Sequence, residues 1–126
     1  MSTILIVEDN EKNMKLVRDI LAHHGHTTLE AVTGGEGVRL ALEKRPDLIL
    51  MDIQLPDIDG IEALRRIRED ASLDAIPVVA VSASVMPDDQ QKIINSGFDA
   101  FVTKPINLKQ FLDTVKRFLA YGRGAR

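Results

Sequence analysis

The groups in this sequence with the clearest capacity for chemistry are three carboxylates, one hydroxyl and one ammonium. Each lies within two residues of the end of a short apolar run, and they are Glu8, Asp9, Asp52, Ser82 and Lys104. Converging carboxylates repel one another, so a proton or a cation must offset their charge. Mg²⁺ prefers oxygen ligands of this kind. The hydroxyl and the ammonium could donate to the oxygens of a phosphoryl group attached to a carboxylate, which is a competent nucleophile toward phosphorus.

Four apolar runs and one more polar run supply the strands that would bring these groups together. The apolar runs are 4–7, 48–51, 78–81 and 100–102, and the polar run is 27–32. Continuous apolarity predicts parallel strands covered on both faces by helices, whereas the polar run predicts an edge strand. In open α/β sheets, ligand sites lie at the carboxyl ends of the strands. If the strand order is 2-1-3-4-5, Asp9 and Asp52 lie side by side.

Five amphipathic segments alternate with these runs, which is the pattern of repeated βα units. They run over about 12–24, from Thr33, from Asp59, from about Pro87 to Gly97, and over 108–119. Thr33 and Asp59 are each followed three residues later by Glu, which predicts a capping box at both helix starts. Gly25 is expected to end the first helix in a left-handed conformation.

The remaining side chains of these helices are interpreted as structural. The apolar faces of the second and last helices are expected to include Leu42 and Leu108. Basic residues opposite an apolar face are typically solvated, and this is the interpretation for Arg65, Arg66 and Arg68. The histidines at 23, 24 and 26 lie near a helix C-terminus, where the helix dipole accounts for them without a metal.

Length and composition restrict the class of protein. The chain has 126 residues, which fits one domain, and its formal net charge of −3 disfavours direct binding to nucleic acid. It has no cysteine, and therefore no disulfide or thiolate metal site. The longest uncharged stretch, 75–87, contains two prolines and is too short to cross a bilayer, and the N-terminus lacks a basic signal-peptide region. We expect a soluble, cytoplasmic protein.

Four motifs in this order resemble a response-regulator receiver domain of the CheY-like kind. They are IVEDN at 6–10, LMDIQLPDIDG at 50–60, VSA at 81–83 and TKP at 103–105. The resemblance extends from Thr3 to about Ala120. It implies a flavodoxin-like, doubly wound (βα)5 fold, with a five-stranded parallel sheet of order 2-1-3-4-5 and helices on both faces.

The same resemblance implies a magnesium site around a phosphoacceptor. Asp52 would accept the phosphoryl group, and Asp9 and Asp52 would bind Mg²⁺ directly. Gln54 would contribute its main-chain carbonyl, and Glu8 would hold the metal through water. The implied activity is phosphoryl transfer from a histidine kinase or histidine phosphotransferase to Asp52, so the chain is expected to be a signalling protein and, at most, a slow self-phosphatase.

The resemblance also implies a switch. Ser82 would move toward the phosphoryl group, Lys104 would be the counter-ion of that group, and Phe101 would reposition with Ser82. On the residues alone, Phe101 is equally well explained as a core side chain. Lys104 and Pro105 resemble the family's cis peptide.

The sequence is similar to single-domain receivers of the DivK type. Residues 1–121 are expected to form the receiver domain and 122–126 a short, loose tail, without an output domain. Signalling would then pass to a downstream protein that binds a face formed by the fourth helix, fifth strand and fifth helix. No nucleic acid and no membrane insertion are expected.

Two other classes of protein are alternatives. A small phosphatase could use Asp52 as nucleophile, but Gln54 stands where such enzymes usually carry an aspartate as general acid. A flavodoxin-like binding module without phosphorylation is the second alternative, although the sequence has no Gly-rich phosphate loop. Mg²⁺-dependent labelling by a small phosphodonor would separate these classes.

Overall fold

The structure is a computed structural model that describes residues 2–84 and 86–124. Its centre is a parallel sheet of five strands in the order β2-β1-β3-β4-β5. The strands are β1 (Thr3–Val7), β2 (Thr27–Ala31), β3 (Leu48–Asp52), β4 (Val78–Ser82) and β5 (Ala100–Thr103). Both the predicted strand order and the edge position of the polar strand are confirmed.

Five helices cover the two faces of the sheet. They are α1 (Glu11–His23), α2 (Gly34–Lys44), α3 (Gly60–Arg68), α4 (Pro87–Asn95) and α5 (Leu108–Tyr121), with short 3-10 turns at Ala71–Leu73 and Gly122–Gly124. One apolar core lies between the sheet and α1 and α5, and the other lies between the sheet and α2, α3 and α4. This is the predicted flavodoxin-like α/β architecture. No helix within the described ranges is long and apolar enough to span a membrane.

Side-chain caps begin the helices that the sequence marked. Thr33 Oγ1 accepts a hydrogen bond from Glu36 N at 3.1 Å, and Asp59 Oδ1 accepts one from Glu62 N at 2.8 Å. The capping boxes differ from the expected form in their return bonds. The Glu36 carboxylate accepts from Val32 N, one residue before the cap, and the Glu62 carboxylate pairs with arginines of its own helix. Gly25 has a φ of 85°, as expected for a left-handed helix end.

Two apolar side chains that were expected in the core lie at the surface. Leu42 is 39% exposed and Leu108 is 54% exposed. Each stands at the margin of its helix's apolar stripe, and the sheet contacts the centre of the stripe. In α2 the buried positions are instead occupied by Gly34, Gly37 and Ala41, which allow a closer approach to the neighbouring elements.

Arg68 and Arg123 contradict the expectations of a solvated arginine face and a loose tail. The guanidinium of Arg68 donates to the carbonyls of Leu73 and Ile76 and to the carboxylate of Asp99. Arg123 Nε donates to Asp99 Oδ1 at 2.9 Å, and Arg123 Nη1 donates to the carbonyl of Asp74. The described part of the C-terminal tail is therefore attached to the domain, while residues 125 and 126 lie outside the described residues.

Asp99 is the centre of this network. Its side chain is 1% exposed, and it accepts hydrogen bonds from Val78 N at 2.9 Å and from both arginines. Removal of a buried carboxylate leaves the buried cation and the amide without their partner, which costs more than an exposed ion pair contributes.

We predict that Asp99→Ala lowers the free energy of unfolding by about 3 kcal/mol. The reason is that Val78 N and the Arg68 guanidinium lose a shared buried acceptor. Urea denaturation followed by circular dichroism measures the change. Asp19→Ala removes an exposed carboxylate that pairs with Lys15 and should leave the midpoint unchanged. Equal midpoints for Asp99→Ala and the wild type would contradict the prediction.

Candidate functional site

Three carboxylates meet at the carboxyl edge of the sheet, as the sequence predicted. Glu8 and Asp9 directly follow β1, Asp52 is the last residue of β3, and these two strands are hydrogen-bonded neighbours. One oxygen from each of the three groups lies within 4.8 Å of the others. Glu8 and Asp52 are buried, whereas Asp9 is exposed. The set is therefore reachable from solvent on the Asp9 side.

Lys104 joins two of these carboxylates. It follows β5, and its Nζ donates to Asp52 Oδ2 at 2.8 Å and lies 3.0 Å from Glu8 Oε1. The Lys104 side chain is only 20% exposed, so water weakens these contacts little. One ammonium among three carboxylates leaves two negative charges without a counter-ion in this cluster.

The shifts in pKa follow from this arrangement. Burial raises the pKa of Glu8 above its ordinary value, and a hydrogen bond and charge repulsion with Asp52 raise it further. For Lys104, burial acts to lower the pKa, but the bonds to Asp52 and Glu8 outweigh it and the net shift is upward. Lys104 therefore remains an ammonium at neutral pH. Glu8 and Asp52 share this one ammonium as their counter-ion.

Ser82 and Gln54 border the same cleft as Asp52 and Lys104, which has a volume of about 260 Å³. Ser82 ends β4, is buried, and its Oγ accepts a hydrogen bond from Ser84 N at 3.1 Å. Gln54 N donates to Asp52 Oδ1 at 3.0 Å. Both oxygens of Asp52 therefore have a donor, one from the main chain and one from Lys104.

Phe101 lies apart from the carboxylates, on the edge strand β5. It is half-buried, packs against the core under α4, and also borders a groove along α5. Its partner on the neighbouring strand β4 is Ala80, which lies two residues before Ser82. The peptide bond between Lys104 and Pro105 is cis.

Gly60 holds the loop 53–59 against the phosphoacceptor candidate. Gly60 N donates to the carbonyl of Ile53 at 2.8 Å, and a Cβ at residue 60 would overlap the carbonyl oxygen of Asp52. The first residue of α3 therefore touches the main chain of the last residue of β3. The sequence predicts Asp59, the residue before Gly60, as a helix cap, but it gives no sign of this contact.

Asp57 lies in the same loop, where Pro56 and Gly60 indicate a turn residue rather than a metal ligand. Its carboxylate instead accepts hydrogen bonds from the amides of Gly34 and Gly35 at the start of α2. These bonds, led by that from Gly35, lower the pKa of Asp57 to about 2. No local signal identifies this contact, because its partners lie more than twenty residues away.

We predict that Glu8→Gln increases the free energy of unfolding of the metal-free protein at neutral pH. A raised pKa means that the folded state binds the Glu8 proton more tightly than the unfolded state does. The stability that the protonated Glu8 contributes is therefore complete below the ordinary pKa of 4.5, and it is lost as the pH rises through the raised pKa. Glutamine does not ionise, so the Glu8→Gln variant does not lose this stability at neutral pH.

The measurement is urea denaturation in chelator between pH 4 and pH 7. The advantage of Glu8→Gln should grow with pH, whereas Glu43→Gln, which changes an exposed glutamate of α2, should follow the wild-type curve. A Glu8→Gln variant that is less stable than wild type at pH 7 would contradict the prediction that the ionised Glu8 destabilises the metal-free protein.

A family model and a well-matched relative both identify this chain as similar to response regulators. The family model described as the response regulator receiver domain matches residues 4–116. The polar-differentiation response regulator DivK of Brucella anthropi is 45% identical over 117 residues, which are 93% of this chain and 95% of DivK.

Two solved receiver domains share the fold. That of a signal transduction histidine kinase from Syntrophus aciditrophicus has 33% identity and a TM-score of 0.87, covering 95% of this chain and 91% of its own. That of a sensor histidine kinase from Pseudomonas aeruginosa PAO1 has 29% identity and a TM-score of 0.88, covering 94% and 98%, and it has a magnesium ion coordinated in its active site cleft. The strand order, the acidic cluster and the family match agree, and the chain belongs to the response regulator receiver domain family, as a homologue of DivK of the kind used in two-component phosphorelay signalling.

Proposed function

We propose that Asp52 accepts a phosphoryl group from a histidine kinase or a histidine phosphotransferase. The observation that carries this proposal is the surroundings of the Asp52 carboxylate. It is buried at the end of β3, its Oδ2 accepts from Lys104 Nζ at 2.8 Å, and the carboxylates of Glu8 and Asp9 lie beside it. Because the phosphoryl donor would be one of these partners, we also propose that the protein acts in the cytoplasm.

The transfer requires an Asp52 oxygen to attack phosphorus. An acyl phosphate bond forms, the bond from phosphorus to the donor's histidine nitrogen breaks, and the electron pair of that bond remains on the imidazole. Lys104 would then donate to a phosphoryl oxygen, which relieves the charge that the reaction adds. Ser82, on the same cleft, is the second candidate donor.

We infer that Mg²⁺ is the cofactor of this reaction. The donor set fits the ion, since Glu8, Asp9 and Asp52 offer three carboxylate oxygens close together and only one ammonium offsets their charge. Asp9 and Asp52 would bind directly, Glu8 through water, and Gln54 through its main-chain carbonyl. When bound, the ion supplies positive charge to the attacking carboxylate and to the phosphoryl oxygens.

We predict that Asp52→Asn abolishes Mg²⁺-dependent labelling by a small phosphodonor. The amide lacks the nucleophilic oxygen anion. Incorporation of phosphate is measured by mass spectrometry on freshly reacted protein. Asp59→Asn is the matched control, because it changes an aspartate of the neighbouring loop into a residue that caps helices equally well. Labelling of Asp52→Asn at the wild-type level would reject the proposed phosphoacceptor.

The output surface in this proposal is the face formed by α4, β5 and α5. The elements of this face carry exposed large apolar side chains: Met86 (61%) just before α4, Ile94 (39%) on α4, and Leu108 (54%) and Tyr121 (73%) at the two ends of α5. Exposed large apolar side chains are compatible with binding of a protein partner. Phosphorylation adds about −1.5 to −2 charges at Asp52 and would draw the Ser82 hydroxyl and Lys104 toward it.

A chain of hydrogen bonds supports coupling of Ser82 to α4. Ser84 N donates to Ser82 Oγ at 3.1 Å, and Ser84 Oγ donates to Asp89 Oδ2 at 2.7 Å in the first turn of α4. Displacement of Ser82 toward a phosphoryl group would break the first of these bonds. Ser84 would then be free to shift together with the start of α4, and Phe101 could move into the space behind Ser82.

We predict that a beryllofluoride mimic of the phosphoryl group strengthens binding to the cognate partner and that Ser82→Ala removes this preference. Without the hydroxyl, the mimic has no donor on β4 to attract. Binding is measured by titration of a labelled partner with and without the mimic. Ser72→Ala, on the remote turn before β4, should retain the wild-type preference. Equal affinity of the wild type with and without the mimic would exclude a phosphorylation-gated interaction.

A further inference from the structure

The loop 53–59 is attached to α2 as well as to its own strand and helix. Asp57 Oδ1 accepts from Gly34 N at 2.8 Å, and Asp57 Oδ2 accepts from Gly35 N at 2.9 Å. The first amides of a helix have no partner inside the helix. In α2, Thr33 binds one of them, and a carboxylate from a distant loop binds two more.

The loop also packs closely against this helix start. A Cβ at Gly34 would lie 2.6 Å from Ile58 Cγ1 and 3.2 Å from the Ile58 carbonyl oxygen. Glycine at residue 34 is therefore needed for the observed contact. Ile58 is half-buried and packs against the core under α2 and α3. The loop is held to α2 by polar and apolar contacts at successive residues.

The helix α2 is itself fixed to the strand that precedes the first two carboxylates. A Cβ at Gly37 would lie 2.7 Å from Val7 Cγ2, and Val7 is followed directly by Glu8 and Asp9. Thus α2 contacts two segments: the end of β1, with its carboxylates, and the loop that begins beside Gln54. These two segments carry most of the oxygens of the proposed Mg²⁺ site.

The negative charge of Asp57 strengthens the attachment of the loop 53–59 to the start of α2. Its carboxylate faces the positive end of the α2 dipole. The hydrogen bonds from Gly35, Ile58 and Gly34 lower its pKa to about 2, so it is ionised at neutral pH. Ionised carboxylates form stronger bonds to backbone amides than neutral groups do.

We propose that Asp57 is a positioning residue for the Mg²⁺ site: by binding the first amides of α2, it holds the loop 53–59 in the shape that presents the Gln54 main-chain oxygen to the metal. This inference rests on the proposed function. Residues that orient metal ligands through hydrogen bonds typically change the affinity by about tenfold or more when they are removed.

The test is a calorimetric Mg²⁺ titration of metal-free protein. Asp57→Ala should bind Mg²⁺ about tenfold more weakly than wild type. Asp57→Asn keeps one acceptor oxygen and should fall between the two. Gly34→Ala leaves the Asp57 carboxylate in place but forces Ile58 away, and it should also weaken binding.

Thr33→Ala is the matched control for a general weakening of α2. It removes the bond from Glu36 N to the cap but leaves Asp57 on its two amides, so its Mg²⁺ affinity should equal that of wild type. Asp9→Ala, which removes a proposed direct ligand, should lose most of the affinity and calibrates the assay.

Amide hydrogen exchange provides a readout that does not depend on phosphorylation. If the loop couples the metal to α2, Mg²⁺ must stabilise the bonds at Gly34 and Gly35 as much as these bonds stabilise the metal. Exchange of these two amides should slow on addition of Mg²⁺ in wild type and should not respond in Asp57→Ala.

The outcomes separate this inference from the proposed function. Wild-type affinity in Asp57→Ala and Gly34→Ala would overturn the positioning role alone, as would an equal loss in Thr33→Ala. A wild-type protein that binds no Mg²⁺ would overturn both. If Asp57→Ala does not fold, Asp57→Asn and Gly34→Ala decide.

Discussion

An imbalance of charge at the carboxyl edge of the sheet is the constraint on which the site depends. Glu8, Asp9 and Asp52 place three carboxylates close together, and Lys104 is shared between two of them. Burial keeps water from screening the repulsion and raises the pKa of Glu8. Additional positive charge would relieve the repulsion among these carboxylates. The proposed Mg²⁺ site thus has its physical basis in the incomplete compensation of three carboxylates by one lysine.

The fold explains how residues so far apart in sequence produce this imbalance. In the order β2-β1-β3-β4-β5, β1 and β3 are neighbours and their connections leave on opposite sides, which opens a cleft between their ends. The three central strands β1, β3 and β4 are nearly all apolar and buried, so their functional polar groups appear where each of these strands ends. The polar, reactive side chains are concentrated at that edge because burying them inside the sheet without partners would cost free energy.

The strands and the five polar groups at their ends could be predicted because they depend on local sequence and on the geometry of parallel sheets, whereas the strand order was implied by the resemblance to the receiver family. Three contacts could not be predicted in this way. Asp57 binds amides of α2, and Asp99 joins Arg68 to Arg123, all across long separations in sequence. A turn aspartate and a surface arginine have sufficient local explanations, so only the tertiary structure reveals their second role.

Gly60 has a consequence for how this protein can vary among relatives. Its amide donates to the Ile53 carbonyl, and a Cβ at residue 60 would overlap the Asp52 carbonyl oxygen, so the segment 53–59 is closed into a ring at its base. Surface loops usually accept insertions and deletions. Here an added or missing residue would have to open the ring or displace α3 from β3. We therefore expect homologues to change the side chains of this segment freely while keeping its number of residues constant.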